Sequence, residues 1–476
     1  MFLLLTLIPM SFGVLAYLFK KKANILVLIS SILTFVFAIF SPVQTMVIGG
    51  HNVLNGIEFS FDIISKTLVI SFSIFSLISF FRIRKIYDNV FFSLWLLLIG
   101  SINGFFSSRD FFNLYVHLEL ASISVFLLLS YDKKETKVWS SLKYMIMSIV
   151  ALNFYLIGVG ILYSYSGTLN IYLNVNNGLN PVAFSFIATG ILIKSGLFFL
   201  SGWLPDAHTQ AVKGISPILS GMIVKLSLFI LYLLIPSLTI EMKNFLFGFA
   251  IISSVCSSIF TLMQNDLKRF LAYSTMTQMS YALLVILSNP NLFPHFIIFH
   301  MFSKGFLFMI IEDVYEETGT KDIHKLKGKS IDLLFFIIFT FFLLNLSGLF
   351  PFSLFFIKDS SNLSIFIDIN IFICGMYFYK IISIFTIDKN KFSLKYWYIL
   401  IFMILNIYLI VYYFFNFNYV IPVLKILFQY LLFSLGVLTF ITFKDRVTIK
   451  DVEIYNFKNS FIYQILFLLI SLMFIR

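Results

Sequence analysis

The sequence is short of charge, and of acids most of all. Only 12% of its 476 residues are Asp, Glu, Lys or Arg, and 22 residues are acidic. Soluble domains carry about 25% charged and about 45–50% apolar residues. Here 60% are hydrophobic, so no polar face is large enough to cover an aqueous globule. That excludes a soluble enzyme, a disordered chain and, despite a net charge of +12, a nucleic-acid binder. Cysteine is scarce too. Cys256 and Cys374 each fall inside an apolar run, which excludes a disulfide framework. Motifs for NAD, flavin or iron–sulfur clusters are missing, so no cofactor is expected and any coupled redox chemistry belongs to other chains. The connections hold neither paired carboxylates nor a metal-binding cluster, which argues against a polytopic transferase and leaves no catalytic residue to name.

What the chain does have is long apolar runs rich in Phe, of which there are 62. A bilayer core takes about 20 apolar residues as a helix, and lipid gives the backbone no partners outside helices and closed barrels. The runs predict spans near 1–19, 24–43, 66–82, 89–107, 111–131, 139–163, 182–203, 216–235, 243–263, 268–288, 291–311, 331–357, 364–386, 396–416, 420–443 and 459–475. The expected fold is therefore an all-α polytopic membrane protein of about 14–16 transmembrane helices. Residues 1–19 read as a span rather than a cleaved signal peptide. The spans at 182–203 and 331–357 run into Gly202/Pro205 and Gly348/Pro351, so two broken helices are expected.

Alternate connections sort the basic residues. Twenty-three of the 34 Lys and Arg fall on one side, from Lys20–Lys22 through Lys268/Arg269 to Lys458. Four fall on the other: Lys66, Arg109, Lys243 and Arg476. Positive charge stays inside, so both termini are expected on the outer face of a prokaryotic cell membrane. The inner charges can also meet anionic lipid.

Seven lysines remain, within or at the ends of spans: Lys143, Lys194, Lys225, Lys304, Lys358, Lys380 and Lys425. The one acid well inside a span is Glu119, with Tyr115 and Ser122 on its helix face. A charge at mid-bilayer costs about 2.5–3.5 kcal/mol on insertion scales. The cost is reduced only where such groups face one another, an acid or water. A row of them can change protonation state in turn, which is a proton relay. Glu119, Lys194, Lys225, Lys304 and His300, four residues before Lys304, are the first candidates. Lys358 adjoins Asp359 at a break and could relay or snorkel. Lys143 and Lys380 lie near inner span ends, where snorkelling is as ready a reading as a role. Asp206 and His208 follow Pro205 and either hold irregular backbone or form a proton entry. Lys425 reads as snorkelling, and His117 and His295 as bland.

Order suggests duplication. The sixth, seventh and eighth spans carry Lys143, Lys194 and Lys225, and the eleventh to thirteenth carry Lys304, Lys358 and Lys380. A shift of five helices is odd, so the second copy is expected to be inverted. The implied divisions are 1–88, 89–240 as the first five-helix repeat, 241–390 as the second, and 391–476.

Several segments resemble one family: RDFFNLYVHLELASIS, SLKYMIMSIVALNFYLIGVGILYSYSGTLN, IKSGLFFLSGWLPDAHTQAVKGISPILSGMIVKLS, NDLKRFLAYSTMTQMSY, HMFSKGFLF, KDIHKLKGKS and SGLFPFSLFFIKD. They cover roughly 60–390 and resemble the antiporter-like proton-translocating subunits. These are the D-type subunit of Mrp antiporters, the corresponding subunits of membrane-bound hydrogenases and the large membrane subunits of complex I. The resemblance implies fourteen helices with two inverted five-helix repeats. It implies that Glu119 pairs with Lys194, that Lys225, His300 and Lys304 form a central axis, and that Lys358 is a terminal lysine. It further implies other membrane subunits as partners, H+ transport and/or Na+/H+ antiport, and membership of a redox-driven translocase as one option. Lys213–Gly214 and Phe350 depart from the family pattern. Residues 420–476 exceed fourteen helices and could form a hairpin that docks a neighbouring subunit. A stand-alone secondary transporter and a structural anchor for an oxidoreductase are the alternatives.

Overall fold

The computed structural model describes residues 2–49, 52–54, 56–359, 364–388, 403, 407, 422–443 and 457–474. The chain divides into two compact units. The first comprises Met1–Gly248 together with Asn456–Arg476, and the second Phe249–Tyr455. Fifteen of the sixteen expected spans overlap described helices; the one at 396–416, apart from residues 403 and 407, lies outside the described residues. Ten helices are long and apolar enough to cross a membrane, and four shorter apolar helices accompany them among the described residues. The protein is an all-α, multi-pass membrane protein.

The first unit holds α1 (Leu4–Leu18), α2 (Ala23–Phe40), α3 (Ile63–Ile83), α4 (Asn89–Ser107), α5 (Phe111–Leu129), α6 (Glu135–Ser166), the short α7 (Ile171–Asn177), α8 (Pro181–Lys194), α9 (Trp203–Gln210), α10 (Ile215–Ile218) and α11 (Val224–Leu234). The helix α12 (Ile240–Met263) passes from the first unit into the second. There follow α13 (Leu267–Ser288), α14 (Phe293–Thr318), the short α15 (Ile323–Leu326), α16 (Leu333–Ser347), α17 (Ser353–Asp359), α18 (Ser364–Ile382) and α19 (Val423–Phe443). The last helix, α20 (Phe457–Phe474), belongs to the first unit. Two small sheets escaped the hydropathy reading. An antiparallel hairpin pairs β1 (Gln44–Ile48) with β2 (Ile57–Phe61), and β3 (Lys329–Asp332) pairs in parallel with β4 (Phe385–Asp388).

The few acids mark where helices start. Asp62, Asp88, Asp110, Asp266, Asp322 and Asp332 each accept a backbone N–H from the first turn of α3, α4, α5, α13, α15 and α16, at 2.7–3.1 Å. A capping side chain satisfies a donor that the helix cannot, which is worth about 1 kcal/mol.

One local arrangement occurs twice. After α6, Gly167 turns the chain at φ 68°, Ser166 Oγ donates to the Thr168 carbonyl at 3.1 Å, Thr168 Oγ1 accepts Asn170 N–H at 3.2 Å, and Asn170 caps α7. After α14, Gly319 turns at φ 71°, Thr318 Oγ1 donates to Thr320 O at 3.1 Å, Thr320 Oγ1 accepts Asp322 N–H at 3.2 Å, and Asp322 caps α15. The left-handed glycine suits the helix end in both places. Asp110 and Asn170 form one β-bridge, and Asp266 and Asp322 another.

The first break falls earlier than the sequence suggested. Helix α8 stops at Lys194, Gly196 takes φ 82°, and the chain re-enters helix at Trp203. Pro205 sits in the first turn of α9, where a missing N–H costs nothing. The break therefore spans 195–202, taking in Gly202 and ending ahead of Pro205. The second break falls at Gly348–Phe352, where the sequence put it. Helix α20 braces the first break: Ser460 Oγ accepts Gly202 N–H at 3.1 Å, and Gln464 Nε2 donates to the Leu200 carbonyl at 2.9 Å.

Candidate functional site

In the first unit Lys194 ends α8 and is only 3% exposed. Its Nζ donates to Ser122 Oγ of α5, to Ser148 Oγ of α6 at 2.7 Å and to Tyr144 OH at 3.4 Å, and lies 4.9 Å over the Tyr144 ring. The close approach of α6 to α8 makes this reach possible. A Cβ on Gly190 would come within 2.4 Å of the Ala151 carbonyl oxygen, and one on Gly158 within 2.7 Å of the Ala183 carbonyl oxygen. Small residues at crossings are how membrane helices come close.

Glu119 is half-buried on α5, one turn before Ser122. The expected direct pair with Lys194 is absent: among the described residues Glu119 makes no hydrogen bond or ion pair within 4 Å. The two groups interact only through space, because serine and tyrosine oxygens occupy the ammonium.

Lys225 is fully buried, and its Nζ donates to the Ser220 carbonyl. Ser220 lies in a π-helical stretch, Leu219–Ile223, whose wider turn is of the kind frequent at functional sites. Lys143 pairs with Asp206 at 2.6 Å, joining α6 to α9. His208 is buried on α9, and its carbonyl accepts Ser216 Oγ at 3.2 Å.

In the second unit Lys304 of α14 is fully buried and donates to the Leu271 carbonyl at 3.0 Å and to Ser274 Oγ at 2.5 Å, both on α13. His300 lies one turn earlier, stacked on Phe296 with ring centres 5.8 Å apart. Lys358 of α17 reaches back across the second break to the Leu346 carbonyl at 3.0 Å, near the last turn of α16. It also lies 4.9 Å over the Tyr281 ring. It is buried, so the snorkelling reading fails for it. Asn345 bridges the two halves of that break: its Nδ2 donates to Ser303 Oγ at 2.8 Å, and its Oδ1 accepts Leu354 N–H at 3.2 Å. Lys380 donates to the carbonyls of Leu262 and Gln264 at 2.6 and 2.7 Å, capping the end of α12. Lys425 pairs with Asp359 instead of snorkelling freely.

Counting charges by loop missed three arrangements. Arg109, read as an outer-face charge, is fully buried. It reaches Asp62 at 2.7 Å, Ser65 Oγ and Tyr172 OH at 2.9 Å, and the Ser108 carbonyl at 2.7 Å. Lys268, read as an inner-loop charge, is buried and pairs at 3.8 Å with Glu312, whose side chain is 3% exposed. Glu312 and Asp313 close the apolar stretch of α14 and are both buried. Their adjacency inside a 26-residue helix was the available signal. The third is Cys374, set among polar side chains of the second unit.

Residues 108–386 match the family described as NADH:quinone oxidoreductase/Mrp antiporter, TM. The chain belongs to this family. It is 31% identical over 259 residues to the N-type subunit of NADH-quinone oxidoreductase from Desulforudis audaxviator, covering 50% of this chain and 51% of that protein. It is 26% identical over 309 residues to the D-type subunit of the Na(+)/H(+) antiporter from Bacillus subtilis, covering 60% and 62%. The matches thus span between half and two thirds of these relatives. In fold it resembles a chain of an archaeal membrane-bound sulfane sulfur reductase, with TM-score 0.78, 21% identity and coverage of 92% and 98%. It also resembles a chain of respiratory complex I from Thermus thermophilus, with TM-score 0.67, 16% identity and coverage of 92% and 97%.

Proposed function

We propose that this chain is the ion-translocating membrane subunit of a multi-subunit Mrp-type antiporter or of a redox-driven, complex I-like or hydrogenase-like complex. The observation that supports this most is the setting of Lys194. Its partners are three hydroxyl groups, and a hydroxyl can donate as well as accept. The site therefore stays hydrogen-bonded whether the lysine is ammonium or amine. A buried cation that served only to hold helices together would be better matched by carboxylates or carbonyls.

Protons pass between Glu119, Lys194 and Lys225 in the first unit, and among His300, Lys304 and Lys358 in the second. The Lys143–Asp206 pair with His208 forms an inner vestibule, and Lys380 anchors α12. Loss of a proton at one site changes the charge felt by its neighbours, so transport is electrostatic coupling rather than covalent chemistry. Residues 89–240 and 241–390 are the two copies of an inverted repeat, a reading supported by the hydrogen-bond set that follows α6 and recurs after α14. The transport is of H+ and/or Na+/H+ antiport, the partners are other membrane subunits, and the setting is a prokaryotic cell membrane with both termini outside.

The test is proton flux in membrane vesicles carrying the chain with its native partners. Lys194→Ala and Glu119→Ala should each abolish flux while assembly persists. Normal flux in both variants would refute the proposal. Activity of the chain purified alone would favour a stand-alone transporter instead.

A further inference from the structure

Helix α19 stands to the second break as α20 stands to the first. Its Tyr430 OH donates to the Phe350 carbonyl, inside the break. Its Lys425 pairs with Asp359, the last residue of α17, and the two side chains are 27% and 13% exposed. A pair withdrawn that far from solvent is screened less than one at the surface. Between those two ties lies the half-helix α17, which carries Lys358. The Phe350 ring packs on α17 as well, with ring centres 5.6 Å from Phe355 and 6.1 Å from Phe356. Lys358 itself turns back over Gly348, where a Cβ would come within 2.7 Å of its Cδ. Its Nζ reaches the Leu346 carbonyl at 3.0 Å and the Ser347 carbonyl at 3.4 Å. Both carbonyls belong to the end of α16, so the ammonium keeps them only while α17 keeps its place. The rest of α19 is seated on α18. Gln429 Nε2 donates to Asp368 Oδ1 at 3.3 Å. A Cβ on Gly436 would come within 2.0 Å of the Phe372 carbonyl oxygen, and one on Gly375 within 2.2 Å of the Phe433 carbonyl oxygen. So close a crossing leaves α19 little room to slide.

We propose that α19 is a strut that positions Lys358, with Lys425 and Tyr430 as the positioning residues. The inference rests on the function proposed above, in which Lys358 exchanges a proton. Helix α17 has seven residues, about two turns, and a helix that short does not hold its own place without tertiary packing. On its N-terminal side the chain is broken at Gly348–Phe352, so no continuous backbone ladder ties it to α16. Tyr430 fixes the chain just ahead of α17, and Lys425 fixes its far end. Neither residue handles the proton. Both act through the place of the Lys358 amine. Proton transfer needs donor and acceptor within hydrogen-bond reach, and a displacement of about 1 Å can lose about a hundredfold in rate. The two terminal helices thus have matching tasks: α20 holds the segment after Lys194, and α19 holds the half-helix that carries Lys358.

The experiment compares Lys425→Met, Lys425→Arg, Tyr430→Phe and Gln429→Leu with Lys358→Ala. All are made in the full-length chain with its native partners, in membrane vesicles. Two quantities are read: proton flux, and acetylation of Lys358 by a membrane-permeant N-hydroxysuccinimide ester, followed by mass spectrometry. The second reports the setting of the amine whether or not it carries protons. Lys425→Met should raise Lys358 acetylation about tenfold and slow flux on the order of a hundredfold. Tyr430→Phe loses one hydrogen bond and should move both the same way, by about fivefold. Lys425→Arg keeps the charge and should restore both. Gln429→Leu loosens the seat on α18 but leaves the ties to α17, and should match the parent in both. Unchanged acetylation in Lys425→Met would overturn the strut. So would an equal rise in Gln429→Leu, because α19 would then act by packing alone, and so would a lack of rescue by Lys425→Arg. If Lys425→Met fails to assemble, Tyr430→Phe decides on the same readings. Normal flux in Lys358→Ala would overturn the role of Lys358 in the proposed function, while acetylation still judged the strut. Loss of flux in Lys358→Ala with unchanged acetylation in Lys425→Met and Tyr430→Phe would remove only the strut.

Discussion

Lys268 and Glu312 set up a test of how much a charge pair contributes when it is buried near the end of two packed helices. Their charged atoms are 3.8 Å apart, and the side chains are 5% and 3% exposed. At an effective dielectric of about 20, unit charges at that distance attract by about 4 kcal/mol. Removing one partner leaves the other charge buried, and such losses run to about 3–5 kcal/mol. Glu312→Leu and Lys268→Met should therefore each lower stability by about that amount. The double variant Lys268→Met/Glu312→Leu should recover most of it, since apolar replacements of buried pairs are often neutral or stabilising by about 1–4 kcal/mol. The assay is thermal unfolding of the detergent-solubilised protein, read as a double-mutant cycle. A coupling energy below about 0.5 kcal/mol would show that the two residues act independently, and the reasoning from distance and burial would fail. Lys268 and Glu312 each have further contacts. The cycle is the proper measure because those contacts cancel in the coupling term and not in the single losses.

Other perturbations follow from the same geometry. Gly190→Ala should destabilise by about 1–3 kcal/mol, because the new methyl meets the Ala151 carbonyl and the Tyr155 nitrogen, both backbone atoms; unchanged thermal stability would count against the close α6–α8 crossing. Arg109→Met should cost about 3–5 kcal/mol by leaving Asp62, Tyr172 and two carbonyls without their donor, measured by the same unfolding assay. Lys143→Ala should cost no more than about 1 kcal/mol, because its pair with Asp206 is partly solvated, so a large loss of flux in that variant would speak for a role in transport. Gln464→Leu should speed hydrogen exchange at residues 196–204 by leaving the Leu200 carbonyl without a donor, a loss of about 1–3 kcal/mol; unchanged exchange would show that α20 does not brace the break.

Helix number and order were legible because length and hydropathy are properties of a single segment. So was the second break, where Gly348 and Pro351 stand close together. The first break was misplaced because Pro205 drew attention to a residue that starts a helix, while Gly196, which ends one, has no proline beside it. The settings of the buried lysines could not be read at all. Lys194 finds its oxygens on α5 and α6, 46 to 72 residues away in sequence, and no local pattern reports which serines will face it. The burial of Arg109 and Lys268 was missed for a related reason. Loop position predicts the side of the membrane, but not whether a long side chain turns back into protein. Cys374 was passed over because Ile373 and Gly375 on either side of it carry no polar group, while its polar partners Asn370 and Tyr377 stand one turn away on the same helix.

The brace at the first break also fixes a schedule for synthesis. Gly202 and Leu200 are made early, yet their partners Ser460 and Gln464 come 258 and 264 residues later. At about 5–20 residues per second, the nascent first unit waits on the order of 10–50 s with those two backbone groups unanswered. A helix that leaves the ribosome late is thus the one that completes the segment following Lys194. A chain truncated just before α20 would carry every candidate relay residue and still lack a finished first unit.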